Sequence, residues 1–323
     1  MLDDDSSRRD GHDARKATSR LTTSPGPLLV DRAFTTAHGR EAGLSPKAMR
    51  HPRFAIPTPG VRLPAHLATD LRARAEAALL VAPAGSALSH STALRAHGAD
   101  LPRRLDADDR VHLTVPVRAV VPRRAGIVSH TYAAPVLPVS RVDGLPVVTP
   151  EHTWLQLAGT LPPDEVVVLA DALLRRKRPL SSLDALRRTV VETLRGTRGL
   201  ARMRVALTLA RAGTDSCMET RARLLLVHAG LPSPRVNVPV LDAQGRFVAM
   251  PDMTYLEQRI AVEYDGDVHR TDRRTWLRDI ARKQALEALG WRVFVVTADD
   301  VYRHPERLVQ RVRAALRERT PAR

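Results

Sequence analysis

From Ser216 to Arg319 the hydrophobic period switches repeatedly between that of a helix and that of a strand, and this alternation constrains the fold more than any other feature. "SCMETRARLLLVHAG" spaces its apolar residues as an amphipathic helix that stops at Gly230, with Pro232 and Pro234 behind it. "RVNVPVLDAQGRFVAMPDM" and "QRIAVEYD" read as strands, "TWLRDIARKQALEALG" as a helix capped by Gly290, and "WRVFVVTA" as a buried strand. Pro305 opens a last helix with Leu308, Val309, Val312 and Leu316 along one face. The order of helix, three strands, helix, strand and helix predicts a self-contained α/β unit over residues 214–319, with a short tail at 320–323.

Upstream the pattern is looser. Residues 1–42 are rich in Asp, Arg, Ser, Thr and Gly without a sustained apolar period, and are expected to form a disordered tail. "LATDLRARAEAALL" and "SALSHSTALRAHGADLP" read as two short helices, the second capped by Ser86 or Ser89, followed by the strand-like "RVHLTVPV", "GIVSHTYA" and "GLPVVTP". This suits a small winged-helix or α+β module. "PEHTWLQLAGTL", "DEVVVLADALLRRK" with Asp164 as its cap, "LSSLDALRRTVVETLRGTRG" and "ARMRVALTLARAG" continue as helices to a boundary at Gly213 and Thr214. The expected fold class is therefore α/β (α+β) in two domains. A winged-helix-like α+β module with a helical connector spans 43–213, and a mixed sheet flanked by helices spans 214–319.

A chain of 323 residues with 51 Lys+Arg against 35 Asp+Glu carries a formal charge of +16, which favours polyanionic partners and DNA first. Richness in Arg, Ala, Leu and Pro also reads as a genome-wide bias that raises Arg without a site. Aromatic residues make up only 3%, which disfavours stacking platforms for single strands. Cys217 is the only cysteine, so an intrachain disulfide and a thiolate zinc cluster are both excluded. "MLDDDSSRRD" is unlike a secretory signal and "VVVLADALL" is too short to cross a bilayer; a cytoplasmic protein without a membrane partner is expected. There is no Gly-rich phosphate loop before a helix and no H-E-x-x-H.

In so basic a chain, "AVEYDGDVHR" gathers Glu263, Asp265 and Asp267 beside His269. The period-2 rule sends Ile260, Val262 and Tyr264 to one face and Ala261, Glu263 and Asp265 to the other. If this strand pairs with its predecessor, Asp252 at the end of "MPD" sits across from Glu263. Carboxylates this close repel unless a cation joins them, and a hard ion such as Mg²⁺ or Mn²⁺ would compensate, orient a phosphodiester and acidify an attacking water. Each residue also has a plainer role. Ser216 and Glu219 form an S-x-x-E capping box, Asp252 could end a strand, Asp265-Gly266 could be a turn, His269 could lie on a surface loop, and Asp279 and Lys283 are spaced as an ordinary helix pair.

"MPD", "AVEYDG", His269 and "RDIARKQALEALGWRV" resemble the very-short-patch-repair-type endonuclease domain, a branch of the PD-(D/E)XK (restriction-endonuclease-like) fold, over roughly Ser216 to Leu316. The resemblance implies Mg²⁺-dependent hydrolysis of DNA, with Asp252 and Glu263 as metal ligands, Glu219 as the carboxylate from the first helix, and Asp265 and His269 as further members of the pocket. The family's motif Lys stands two residues after the second acid; here that place is Asp265, so the positive charge falls to Arg282 or Lys283, or His269 takes part in proton transfer. "GSALSHSTALRAHG", "VHLTVP", "GLPVVTPEHTWLQLAG" and "VLADALL" resemble the AbiEi-type antitoxin and transcription-regulator family over about residues 44 to 175. That resemblance implies a DNA-approaching helix bearing Ser89, His90, Thr92 and Arg95, against the alternative of a helix that merely packs. A metal-dependent endonuclease and a non-catalytic regulator on a degenerate nuclease fold both stay open, as do a homo-oligomer and a toxin–antitoxin partner.

Overall fold

The computed structural model describes residues 31–116, 123–132, 137–266 and 273–320. Strand β1 (Phe34–Thr35) runs into helix α1 (Thr36–Glu41), whose start is fixed by the Thr35 hydroxyl accepting from the His38 amide at 3.1 Å. β2 (Phe54–Ala55) and β3 (Val61–Pro64) complete an antiparallel sheet in the order β1-β3-β2. Phe34, Leu44, Met49 and Phe54 form its small core, the two Phe rings meeting edge to face at 5.3 Å. Residues 31–42 are thus folded rather than part of a tail, because Phe34 supplies an anchor that a sparse apolar pattern concealed.

Asp70 caps α2 (Leu71–Leu79) by accepting from the Ala73 amide at 2.7 Å. β4 (Ala87–Leu88), α3 (His90–Ala96), α4 (Arg103–Asp106), β5 (Val111–Pro116), β6 (Ile127–Tyr132), β7 (Val139–Val142) and β8 (Leu145–Val148) follow. They build a five-stranded mixed sheet in the order β6-β5-β4-β8-β7, with β5/β6 and β4/β8 parallel. The tight β7–β8 hairpin turns on Asp143 and Gly144, both at positive φ (49° and 83°), which an Asp-Gly pair adopts at little cost.

α5 (Pro150–Ala158), α6 (Pro163–Leu173), α7 (Leu183–Glu192) and α8 (Leu200–Leu209) pack around Trp154, Val167, Leu169, Leu186 and Met203. Pro162, not Asp164, holds the cap position of α6; Asp164 stands in the first turn and pairs with His228. The same core takes in Cys217 and Leu224 of α9 (Cys217–His228), so the boundary expected at Gly213 and Thr214 falls inside a shared core.

α9 is buried on both sides. Its other face gives Ala222 and Leu226 to a second core. The segment expected as long strands breaks into β9 (Arg235–Val236), β10 (Val240–Leu241), β11 (Phe247–Ala249) and β12 (Met253–Tyr255), because the Asp242-to-Arg246 turn interrupts it. β13 (Ile260–Tyr264), α10 (Arg273–Ala288), β14 (Arg292–Val296), the additional short α11 (Ala298–Tyr302) and α12 (Pro305–Arg319) complete the chain. The mixed sheet runs β14-β13-β12-β9, with only β13 and β14 parallel. Ile260, Val262, Phe294 and Val296 face α9 and α12, while Ala261 packs with Leu286 of α10 and Trp291. No helix among the described residues is long and apolar enough to cross a membrane.

Candidate active site

The alternation of β13 decides where its carboxylate goes. Ile260 and Val262 enter the core under α9 and α12, so Glu263 shares the opposite face with Ala261 and lies toward α10. There its Oε2 accepts from Arg282 Nη2 at 3.1 Å. The register that pairs Met253 with Val262 brings Asp252 opposite Glu263, and Asp252 Oδ2 accepts from the Tyr264 amide at 2.7 Å. Two acids and an arginine from three successive elements therefore meet at one end of the sheet.

Glu219 reaches the same neighbourhood from the first turn of α9. Ser216 caps that helix by accepting from the Glu219 amide at 3.2 Å, but the reciprocal half of a capping box is absent. Glu219 Oε2 instead accepts from the Asp215 amide (2.9 Å) and from Asn237 Nδ2 (3.1 Å). Asn237, at φ +48°, donates its own amide to the Asp252 carbonyl at 3.0 Å and so ties the two acidic segments together. Sequence reasoning missed Asn237; its one signal was a polar residue at an otherwise apolar strand end, in "RVNVPV".

The electrostatics carry the mark of crowding. Burial, then the neighbouring Asp252 charge, pushes Glu219 up to about 7. Burial also pushes Asp252 up to about 6, opposed by the Tyr264 amide and reinforced by Glu263, while Arg282 pulls it down. The oxygens of Glu219, Asp252 and Glu263 do not all lie within 4.8 Å of one another; among the described residues only His90, His112 and His130 bring their ligand atoms that close. Asp252 and Glu263 are nonetheless oxygen-only donors facing each other, which suits a Mg²⁺ or Mn²⁺ ion that keeps several waters. Glu219 would add negative charge behind them.

The other expected site residues divide. Asp265 lies just beyond β13, its amide donating to Val296 O at 2.8 Å, and it lines a cleft of ≈ 450 Å³ with Tyr264, Thr297, Asp299 and Arg303. Lys283 points away and pairs at 3.8 Å with Glu287, one turn on. His269, like Asp267, lies outside the described residues. Of the residues expected on a DNA-approaching helix, Ser89 and Thr92 are fully buried and turn their hydroxyls inward. Arg95 spends its guanidinium on the carbonyls of Leu105, Asp106 and Asp108. The ring of His90 stacks on His130 at 3.5 Å. α3 therefore packs with these side chains, since β4, β5 and α5 cover the face they occupy.

Comparison with known proteins places a family match over the part of the chain that includes this edge. The model of the family described as REase_MTES_1575 matches residues 247–316, a span that holds Asp252, Glu263 and Arg282 and leaves out α9 with Glu219. Two uncharacterized proteins of Mycobacterium tuberculosis, Rv2248 and MT2308, are each 32% identical over 174 residues, covering 54% of this chain and 63% of their own length. The chain thus spans less than two thirds of the curated relatives it matches. The crystal structure of the RV2827C protein from Mycobacterium tuberculosis aligns over 65% of this chain and 84% of that one at 17% identity, with a TM-score of 0.34. Over residues 247–316, with strands of the mixed sheet and flanking helices, the chain carries a restriction-endonuclease-like domain.

Proposed function

We propose that this chain binds DNA and hydrolyses its phosphodiester bonds at the Asp252–Glu263 edge with the help of Mg²⁺ or Mn²⁺. The observation that carries the proposal is the apposition of Asp252 and Glu263 across β12 and β13, with Arg282 at 3.1 Å from Glu263. Asp252 and Glu263 would hold the ion, and Glu219 would adjust their charge. A bound ion would offset the repulsion of the acids and lower the pKa of a nearby water. Arg282 stands where it can leave Glu263 and stabilise charge developing on the phosphate, the part a lysine would play at the position of Asp265. The charge of +16 supports DNA as the polyanion. An AbiEi-like, winged-helix role for the N-terminal module, a cytoplasmic setting in repair, defence or toxin–antitoxin regulation, and a partner or second copy belong to the same proposal.

One observation favours a second reading, a DNA-binding regulator on a silent nuclease fold: Asp265 fills the motif-lysine place and Arg282 is already paired. The test is cleavage of supercoiled, linear and mismatched DNA with Mg²⁺ or Mn²⁺ by the intact chain, Asp252→Asn and Glu263→Gln. Metal-dependent nicking that falls by at least about 100-fold in both variants supports the nuclease. DNA binding without cleavage on every substrate supports the regulator.

A further inference from the structure

A second constellation lies outside the acidic edge, on the five-stranded sheet. The parallel register of β5 and β6 sets His112 beside Val128 and Thr114 beside His130, so the pleat carries His112 and His130 to one face. His90 is delivered to that face from the start of α3 by a backbone at φ +50°, which is uncommon for non-glycine residues though His adopts it more readily than most. One ring nitrogen of each histidine lies within 4.8 Å of one on each of the others, and His112 Nδ1 faces His130 Nε2 at 3.1 Å. Two of the rings are held through their remaining nitrogens. His112 Nε2 lies 3.0 Å from Asp108 Oδ2, and His90 Nδ1 lies 3.0 Å from the hydroxyl of the fully buried Ser89. Asp108 is itself fixed, its carboxylate by Arg110 at 2.7 Å and its carbonyl by Arg95 at 2.7 Å, while Thr92 accepts from the His112 amide at 2.9 Å.

We propose that His90, His112 and His130 bind one late first-row divalent metal ion, of the zinc class, with Asp108 and Ser89 orienting two of the ligands. Imidazole sets of this kind select ions from the zinc and copper end of the series, and a carboxylate behind the ring is the usual orienting partner. A proton on His112 Nε2, donated to Asp108, leaves the Nδ1 lone pair directed at the space beside His130. Burial keeps the rings neutral and their lone pairs available: it lowers His90 to about 2 and His130 to about 4, and it lowers His112 as well. Three imidazoles leave a fourth position for water or a ligand. His90 and His130 are stacked with their planes 16° apart, so binding turns the His90 ring until its Nε2 converges with the other two. Ser89, Thr92 and Arg95, expected on a nucleic-acid-facing helix, instead support this cluster. The rival arrangement is metal-free, with His130 Nε2–H donating to His112 Nδ1 within a neutral stack.

The test uses the full chain stripped with a chelator and dialysed against Zn²⁺, with bound metal measured on the intact protein, His112→Ala, His130→Ala, Asp108→Asn and, as a control on the acidic edge, Asp252→Asn. One equivalent is expected in the intact protein and in Asp252→Asn. It is lost in both histidine variants, and Asp108→Asn weakens it by about 10–100-fold. Absence of that equivalent, or its survival in both histidine variants, overturns the proposal. Should those variants fail to fold, imidazole ¹⁵N spectra of the unmutated chain decide. Displacement of the resonances of these three rings at one equivalent of Zn²⁺ sustains the site, and unchanged resonances with a proton shared between His112 and His130 remove it.

Discussion

Glu219 and Asp252 are carboxylates held where ionisation is costly, and the sign of that cost can be worked out. Their folded values, about 7 and about 6, lie above the ordinary 4.5 and 3.8, so the folded state binds protons more tightly than the unfolded chain. The associated stability is fully present at low pH and is lost as pH rises through about 4 to 7. Asp252→Asn should therefore raise the metal-free melting temperature at pH 8 by the equivalent of about 1–3 kcal/mol and flatten its pH dependence, as read by calorimetry across that window. The two cations of α10 should separate just as clearly. Arg282→Ala should lower cleavage by about 100-fold or more, while Lys283→Ala, which removes an exposed pair at 3.8 Å, should leave rates within about 2-fold in the same nicking assay. The Asp252–Glu263 pairing was legible in the sequence because a period of two and a short turn dictate it. Asn237 and the gathering of the three histidines were not, since each depends on a left-handed backbone or on strand partners distant in the chain.

Among the elements, α9 shows how a helix that reads as amphipathic can serve two cores. Asp171 of α6 and Arg223 of α9 are both fully buried and pair at 2.7 Å, with the Arg211 amide and the Thr220 hydroxyl also on the Asp171 carboxylate. At the rim Arg221 pairs with Glu165. Removing one partner of such a pair strands the other charge, so Asp171→Ala should cost about 3–5 kcal/mol in urea denaturation. The joint replacement Asp171→Leu with Arg223→Met should recover most of that loss. The helical period of "SCMETRARLLLVHAG" located this element, but period alone does not assign Arg223 to a buried partner so far back in the chain. The Asp143-Gly144 turn before "LPVV" adds a strand, β7, beyond those expected from the sequence, and the local turn from Asp242 to Arg246 breaks the segment read as long strands into β9 to β12.

Across the whole molecule, the core that joins Cys217 and Leu224 to Trp154 and Leu169 implies that residues 214–320 expressed alone expose the α6-facing side of α9. Such a fragment should melt well below the intact chain, and a fragment beginning after α9 should not hold Glu219's partner Asn237 in place; circular dichroism and limited proteolysis check both. DNA affinity of the intact chain should fall steeply with salt, the slope of log K against log[salt] giving about 0.9 per phosphate neutralised. A flat slope would identify the charge of +16 with composition rather than with a binding face. α9 itself is 12 residues long, a rod of about 18 Å with Glu219 in its first turn and its side wall clamped to α6. A rod clamped along its flank has no play at its tip, so small displacements of the helical bundle reappear at the carboxylate undiminished. Misplacement by about 1 Å is enough to cost an active site about 100-fold, so for the hydrolytic site proposed above the alignment tolerance of the acidic edge would be a property of side chains in another layer of the protein.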